Sequence, residues 1–144
     1  MVYFNNITER KTAESALVRS EQWWRTLANA IPQFVWVAKS YGDVQFVNAH
    51  WYDYTGLPKS IIEITGLLSP VHPEDVPIIS EMWRTALEEG TEKTFEYRVR
   101  RASDGIYRWH RGFHRPERDR SGDIIRWIGC AADIHDLKTA MPGA

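Results

Sequence analysis

The sequence predicts an α+β fold in which helices cover an antiparallel sheet, and three observations carry that prediction. Residues 95–134 form three strand-like runs, the first alternating apolar and polar side chains and the last apolar on both parities, separated by Asp104-Gly105 and by Ser121-Gly122-Asp123, as a three-stranded meander requires. A short apolar run, Phe34-Val35-Trp36-Val37, is followed by a second around Phe46, with Tyr41-Gly42-Asp43 between them as a hairpin turn. Helix-forming segments stand before this hairpin and again between it and the meander. The order is therefore helix, two strands, several helices, three strands.

Thr8 to Ile31 is rich in good helix formers, with Thr8 as a candidate cap. Ala13, Leu17, Ser20, Trp24, Leu27 and Ile31 are spaced 4, 3, 4, 3, 4, the a/d pattern of a coiled coil over about three heptads. That spacing predicts a seam on which a second copy pairs. Packing on its own domain is the competing reading for the half that holds Trp23, Trp24 and Leu27. Pro32 ends the helix, and Gln33 to Ala38 with Val44 to Asn48 make the first hairpin. Asn48 is a suitable cap for a short helix from Ala49 to Tyr54, which Gly56 closes. Pro58 starts another turn, and Ile61, Ile62 and Ile64 supply the next apolar group. Pro73, Glu74 and Asp75 open a helix that runs to Glu89 and stops at Gly90, burying Val76, Ile79, Met82, Trp83 and Leu87.

Within the meander, Phe95, Tyr97 and Val99 share one parity of the first strand, about Thr94 to Ala102, and are expected to face inward. In the second strand, Ile106 to about Arg115, the aromatic parity of Tyr107, Trp109 and Phe113 is expected inward, leaving His110, Gly112 and His114 outward. Pro116 removes a ladder donor, and Glu117 to Asp123 turns the chain. The last strand is apolar on both parities. Ile124, Ile128, Cys130, Ala132 and Ile134 form one set and Ile125, Trp127 and Ala131 the other, which predicts a central strand covered on both faces. The small residues Gly129 to Ala132 leave room above it.

With 144 residues, 43% of them hydrophobic, the chain can bury one core of ordinary domain size. A formal net charge of -1 gives no broad basic footprint, so nucleic acid is not an expected partner. One cysteine excludes an internal disulfide and fits a reducing, cytoplasmic compartment. No apolar run reaches the ~20 residues that span a bilayer, so no membrane contact is expected of this segment, while a longer parent could still be membrane-anchored. Ile7 to Ala13 is echoed by Ile134 to Ala140, with Ile, Lys, Thr and Ala matching at an offset of 127, a domain-sized period that suggests tandem units. On that reading Val2 to Asn6 is the last strand of a preceding unit.

Several short stretches carry a family likeness: Asn48-Ala-His-Trp-Tyr-Asp-Tyr-Thr-Gly56, His72-Pro-Glu-Asp75, Glu96-Tyr-Arg-Val-Arg-Arg101, Tyr107-Arg-Trp109, Arg126-Trp-Ile-Gly129 and the closing Asp133-Ile134. Together they resemble a PAS domain of the PAC-containing, fold-3-like kind found in prokaryotic signalling proteins, over about Ser20 to Ile134. The resemblance implies a five-stranded antiparallel sheet in the order 2-1-5-4-3, helices over one face, and a pocket between them. Ile7-Thr-Glu-Arg-Lys is similar to the linker that joins one such unit to the next, or to a sensor histidine kinase or cyclic-dinucleotide enzyme. Residues 1–19 are then the end of a preceding unit plus a linker helix, 20–134 the sensory domain, and 135–144 the start of the outgoing linker. Other domains of the same chain are the expected partners.

Chemistry beyond binding finds little support. His110 and His114 lie four apart on a strand, about 13 Å, too far to share one ion, so no metal is expected. His72, Glu74 and Asp75 look like an acid/base cluster, yet acids at a helix start complement the macrodipole without any reaction. No phosphate loop, serine elbow or paired-cysteine motif is present. His135-Asp-Leu-Lys-Thr139 loosely resembles the phospho-accepting box of a histidine kinase, but Ala140 follows where that box has proline, and it reads as linker. Flavin-binding relatives carry a helical Asn-Cys-Arg, absent here, and haem-binding relatives a histidine in the long helix, where Val76 to Glu89 has none. No cofactor is expected.

Two functions remain in view. In one, a small apolar or aromatic ligand binds under the helices, with Phe34, Trp36, Phe46, Trp51, Tyr54 and Met82 as candidate pocket residues from the first half. Tyr97, Trp109, Phe113, Ile128 and Cys130 are the candidates from the meander. Those side chains simply filling a core is the competing reading. In the other, the domain dimerises as a homodimer through Ala13, Leu17, Ser20, Trp24 and Leu27, while Asp133 and Ile134 couple the sheet to the outgoing helix. A small hydrolase using His72 and Glu74 is the enzymatic alternative to this non-enzymatic domain.

Overall fold

Two antiparallel strand systems, far apart in sequence, meet in the middle of one sheet. The structure is a computed structural model and describes residues 2–60 and 64–140. A long helix, α1 (Val2–Ala30), leads into β1 (Phe34–Lys39) and β2 (Val44–Val47). Three helices follow, α2 (Ala49–Thr55), α3 (Ile64–Leu67) and α4 (Val76–Glu89). The meander is β3 (Lys93–Arg100), β4 (Tyr107–Arg118) and β5 (Ile124–Asp133), and α5 (His135–Thr139) ends the fold. The sheet order is β2-β1-β5-β4-β3, with the last strand in the centre as expected. Ile61 and Ile62 lie outside the described residues. Val2 to Asn6, expected as a strand, is helical and continuous with the rest of α1.

The register assigns each side chain to a face. Phe34 pairs with Ala131, Trp36 with Gly129 and Ala38 with Trp127, so these six share the face beneath α2, α3 and α4. Val35, Val37, Ile128 and Cys130 occupy the back face, where Trp24, Ala28 and Ile31 at the end of α1 pack on Val35 and Phe46. Among the described side chains of α1, those at this end are the ones docked on the sheet. Trp24 meets Phe46 edge-on at 5.0 Å, whereas Leu17 and Leu27 stay exposed.

Asn48 joins the docked end of α1 to the sheet. Its amide donates to the Ala28 and Gln33 carbonyls, both at 2.8 Å, and its Oδ1 accepts the Val35 N–H at 3.0 Å. The residue was expected to cap α2, but its side chain makes no cap hydrogen bond and is instead wholly buried in this junction. Gly56 and Gly90 close α2 and α4 in the left-handed conformation (φ 70° and 66°), which residues with a Cβ rarely adopt. Asp75 likewise makes no bond to the α4 terminus. Its carboxylate accepts from the backbone N–H, Nε and Nη2 of Arg98, tying α4 to β3, so an ion pair takes the place of the expected capping.

The second meander strand runs opposite to expectation. Tyr97 pairs with His110, Phe95 with Gly112 and Lys93 with His114, so the histidine parity of β4 lies on the helix-covered face. Trp109 and Phe113 are therefore on the back. A side-chain period of two means that the register of the β3–β4 hairpin, not the apolarity of β4 alone, decides which parity turns inward. The back-face rings are covered by cations: Arg98 and Lys138 lie over Trp109 and Arg115 over Phe113. β4 also continues through Pro116 to Arg118, because beyond His114 it has outrun β3 and has a neighbour on one side only. A register shift at Glu117/Arg118 pairs Arg118 with Ile124 and skips Ile125. Ile124 thereby joins Trp127 in the cluster under α4, against its expected grouping with Ile128 and Cys130.

Candidate functional site

The covered face does not close completely on its helices. A cavity of about 240 Å³ remains between α2, α3 and α4 and the sheet. Its floor comes from strands: Trp36 and Val47 from the first hairpin, Phe95 and Tyr97 from β3, His114 from β4. Trp51, Leu67, Leu68, Ile79 and Trp83 form its roof, and Val71, bridged to Val99, closes one side. Gly129 sets the position of the Trp36 ring, because a Cβ built there would overlap the indole. Small residues on the central strand do leave room above it, as the sequence suggests, and part of that room holds an aromatic ring lying flat.

Two histidines on this face have opposite surroundings. His110 is 1% exposed, stacks on Phe34 at 4.7 Å and donates from Nδ1 to the Arg108 carbonyl at 3.0 Å. Because a carbonyl only accepts, that bond fixes the proton on Nδ1. His114 is 5% exposed, and both its ring nitrogens are buried without a hydrogen-bond partner. Its neighbours are aromatic: Phe95 at 4.6 Å, Trp83 at 4.7 Å and Trp36 at 5.7 Å between ring centroids. Burial with no compensating charge pushes its pKa down to about 4, so the ring is neutral at neutral pH. Leaving such a group unbonded costs about 1–3 kcal/mol.

The structure distributes the sequence candidates unevenly. Trp36, Trp51 and Tyr97 line the cavity, while Phe34, Tyr54 and Met82 belong to the surrounding core. Phe46, Trp109, Phe113, Ile128 and Cys130 are on the back face, removed from the cavity by the strand parity described above. Sequence reasoning missed His114, Trp83, Leu67 and Leu68 as lining, and with them Val47, Val71, Ile79 and Phe95. His114 was reachable by pairing β4 against the inward set of β3 instead of by ranking β4 side chains for apolarity.

At one end of the cavity, the roof is bonded to the exit of the sheet. Trp51 lines the cavity, and Tyr54, three residues on in α2, donates its hydroxyl to Asp133 Oδ2 at 3.1 Å. Asp133 also accepts from Arg108 Nε at 2.7 Å and from the His135 N–H at 2.9 Å. Burial raises the Asp133 pKa, but these bonds, Arg108 foremost, outweigh it and hold the carboxyl below its usual range. Burial and the neighbouring carboxylate push the Tyr54 phenol well above its ordinary value. Ile134 donates to the Trp109 carbonyl at 2.8 Å, Arg108 also reaches Asp136 at 3.1 Å, and Lys138 reaches Glu96. α5 is thus held against β4 by the residues immediately after the central strand.

His72 lies apart from this site, stacked edge-on against Tyr107 at 4.7 Å, with Nδ1 accepting the Glu74 N–H. Among the described residues there is no cluster of three metal-ligating side chains and no helix long and apolar enough to cross a membrane.

Comparison with known proteins agrees with this architecture. The family model described as PAS fold matches residues 44–131. The uncharacterized protein y4lL of Sinorhizobium fredii is 32% identical over 133 residues, which is 92% of this chain and 16% of that protein. The peroxide stress-activated histidine kinase mak1 of Schizosaccharomyces pombe is 32% identical over 148 residues, 95% of this chain and 9% of the kinase. The chain thus spans less than a fifth of the length of either relative. Among solved structures, the N-terminal domain of a diguanylate cyclase with PAS/PAC sensor from Marinobacter aquaeolei superposes with a TM-score of 0.61 at 22% identity, covering 74% of this chain and 98% of that one. An RNA-binding light-oxygen-voltage receptor gives a TM-score of 0.62 at 20% identity, covering 86% of this chain and 35% of that one.

Proposed function

This chain belongs to the PAS fold family, and from that premise we propose that it is a sensory relay domain that binds a small, largely apolar ligand between sheet and roof and passes the change to α5. The observation that carries the reading is a continuous path from cavity to exit. Trp51 and Tyr54 lie on one helix, the first on the cavity wall and the second bonded to Asp133, which in turn holds the first turn of α5. A ligand that shifts α2 alters the Tyr54–Asp133 bond and thereby the seating of α5. Relatives that are histidine kinases and a diguanylate cyclase sensor domain make such an enzyme the natural recipient in a longer parent chain, with this domain itself non-catalytic.

Flavin-thiol chemistry does not suit the cavity. The lone cysteine, Cys130, is on the back face beside Val35 and Phe46, and its thiol pKa is raised by burial. Haem is also a poor fit: α4 carries no histidine, His72 stands outside the lining, and the space of about 240 Å³ beside His114 is too small for a tetrapyrrole.

Dimerisation through α1 is a second, compatible reading. What favours it is the exposed apolar stripe of Leu17, 66% exposed, with Trp23 and Leu27. Trp24 is turned onto the sheet, so a partner helix would use Ala13, Leu17, Ser20 and Leu27 of the heptad seam.

A fragment panel of one- and two-ring compounds, followed by NMR shifts on the full chain, tests the sensory reading. It expects shifts at Trp36, Trp51 and Trp83 together with altered amide exchange over 133–139. Fragment-induced shifts confined to the outer surface would remove it.

A further inference from the structure

On the reading of the cavity as a ligand site, we infer that His114 is its polar anchor, the hydrogen-bond partner of a neutral aromatic molecule of one or two rings that carries a single hydroxyl or carbonyl group. Nearly every other buried polar side chain among the described residues has its bonds made within the protein. Asn48 uses its oxygen and amide on α1 and β1, Asp75 is filled by Arg98, and His110 donates to Arg108. His114 alone keeps two nitrogens buried and unpartnered among the described residues. A fold that satisfies His110 and leaves His114 open, four residues along the same strand and on the same face, has a donor and an acceptor in hand for something not part of the chain.

The surroundings narrow the class of molecule. Trp36, Trp51, Trp83 and Phe95 present ring faces and edges, which suits a flat aromatic body. No lysine or arginine lines the cavity, and the His114 ring is itself uncharged at neutral pH, so an anion would enter without a counter-charge. The other polar groups among the lining residues are the Tyr97 phenol, Ser80, which is exposed at the rim, and the indole N–H groups of Trp36, Trp51 and Trp83, which donate only. Size sets the upper bound. A cavity of about 150 Å³ holds benzene, so 240 Å³ admits two fused rings but not a nucleotide or a tetrapyrrole.

The test compares naphthalene, 1-naphthol and 1-naphthoate, titrated into the full chain at pH 7.5 and read by protein NMR, including the imidazole nitrogen resonances of His114. The expected result is that 1-naphthol binds about tenfold more tightly than naphthalene, one hydrogen bond's worth. It moves the His114 nitrogens, naphthalene does not, and 1-naphthoate fails to bind. His114→Leu should abolish the preference while retaining naphthalene, and His114→Gln should restore part of it. The leucine variant without ligand should also melt at or above the wild-type temperature, because it removes an unsatisfied polar group. Equal binding of naphthol and naphthalene overturns the role of His114 and leaves the cavity reading standing. Failure of all three probes overturns both, and a marked fall in the melting temperature of His114→Leu shows a structural bond and overturns the role alone.

Discussion

A single buried imidazole should dominate the response of this domain to mild acid. The folded pKa of His114, about 4, lies below the ordinary histidine value of 6.5, so the unfolded chain binds the extra proton as pH falls. Stability is therefore complete above pH 6.5 and declines toward pH 4, by about 2–3 kcal/mol between pH 8 and pH 4.5 for this group. His110 is pushed in the same direction by its own burial and adds to the loss. Urea midpoints across that range check it, and the His114→Leu variant should remove the larger part of the slope. Gly129→Ala is a second residue-scale prediction. The new methyl overlaps the Trp36 ring, and overpacking of this kind costs about 1–3 kcal/mol by denaturant titration. Neither effect was visible in the sequence, because both depend on which residues stand opposite each other across strands.

Elements were more legible than residues. The turns at Gly42, Gly105 and Gly122, the stop at Gly90 and the helix around Trp83 all follow from local chemistry, and strand existence followed from alternation. What escaped was any property set by a partner far away in sequence: the inward parity of β4, the shift of Ile124 to the α4 side, and the use of Asn48. Asn48 looks like a helix cap locally and acts as a three-way joint globally. Asn48→Ala should cost about 3 kcal/mol, since it strands the Val35 N–H and two carbonyls, and the Val35 amide should exchange faster. Leu17→Asp is the opposite case. The side chain is exposed, so stability should stay within about 0.5 kcal/mol, while the proposed pairing through α1 requires that sedimentation at tens of micromolar give a dimer for the wild type and a monomer for the variant.

At the scale of the whole molecule, the roof and the exit share one bond. Tyr54→Phe removes the hydroxyl that meets Asp133 and leaves the Trp51 side of α2 in place. Stability should fall by about 1 kcal/mol, and hydrogen exchange should quicken over His135 to Thr139 with cavity resonances little changed. If the α5 amides are indifferent to this change, the path from cavity to exit is broken. The sheet order carries a different consequence. Phe34, where the chain comes in, sits directly across from Ala131, near where it goes out. A lobe whose two ends lie side by side can be spliced into a long rod like a bead on a wire, and further beads can be strung beside it without changing how any one of them is built.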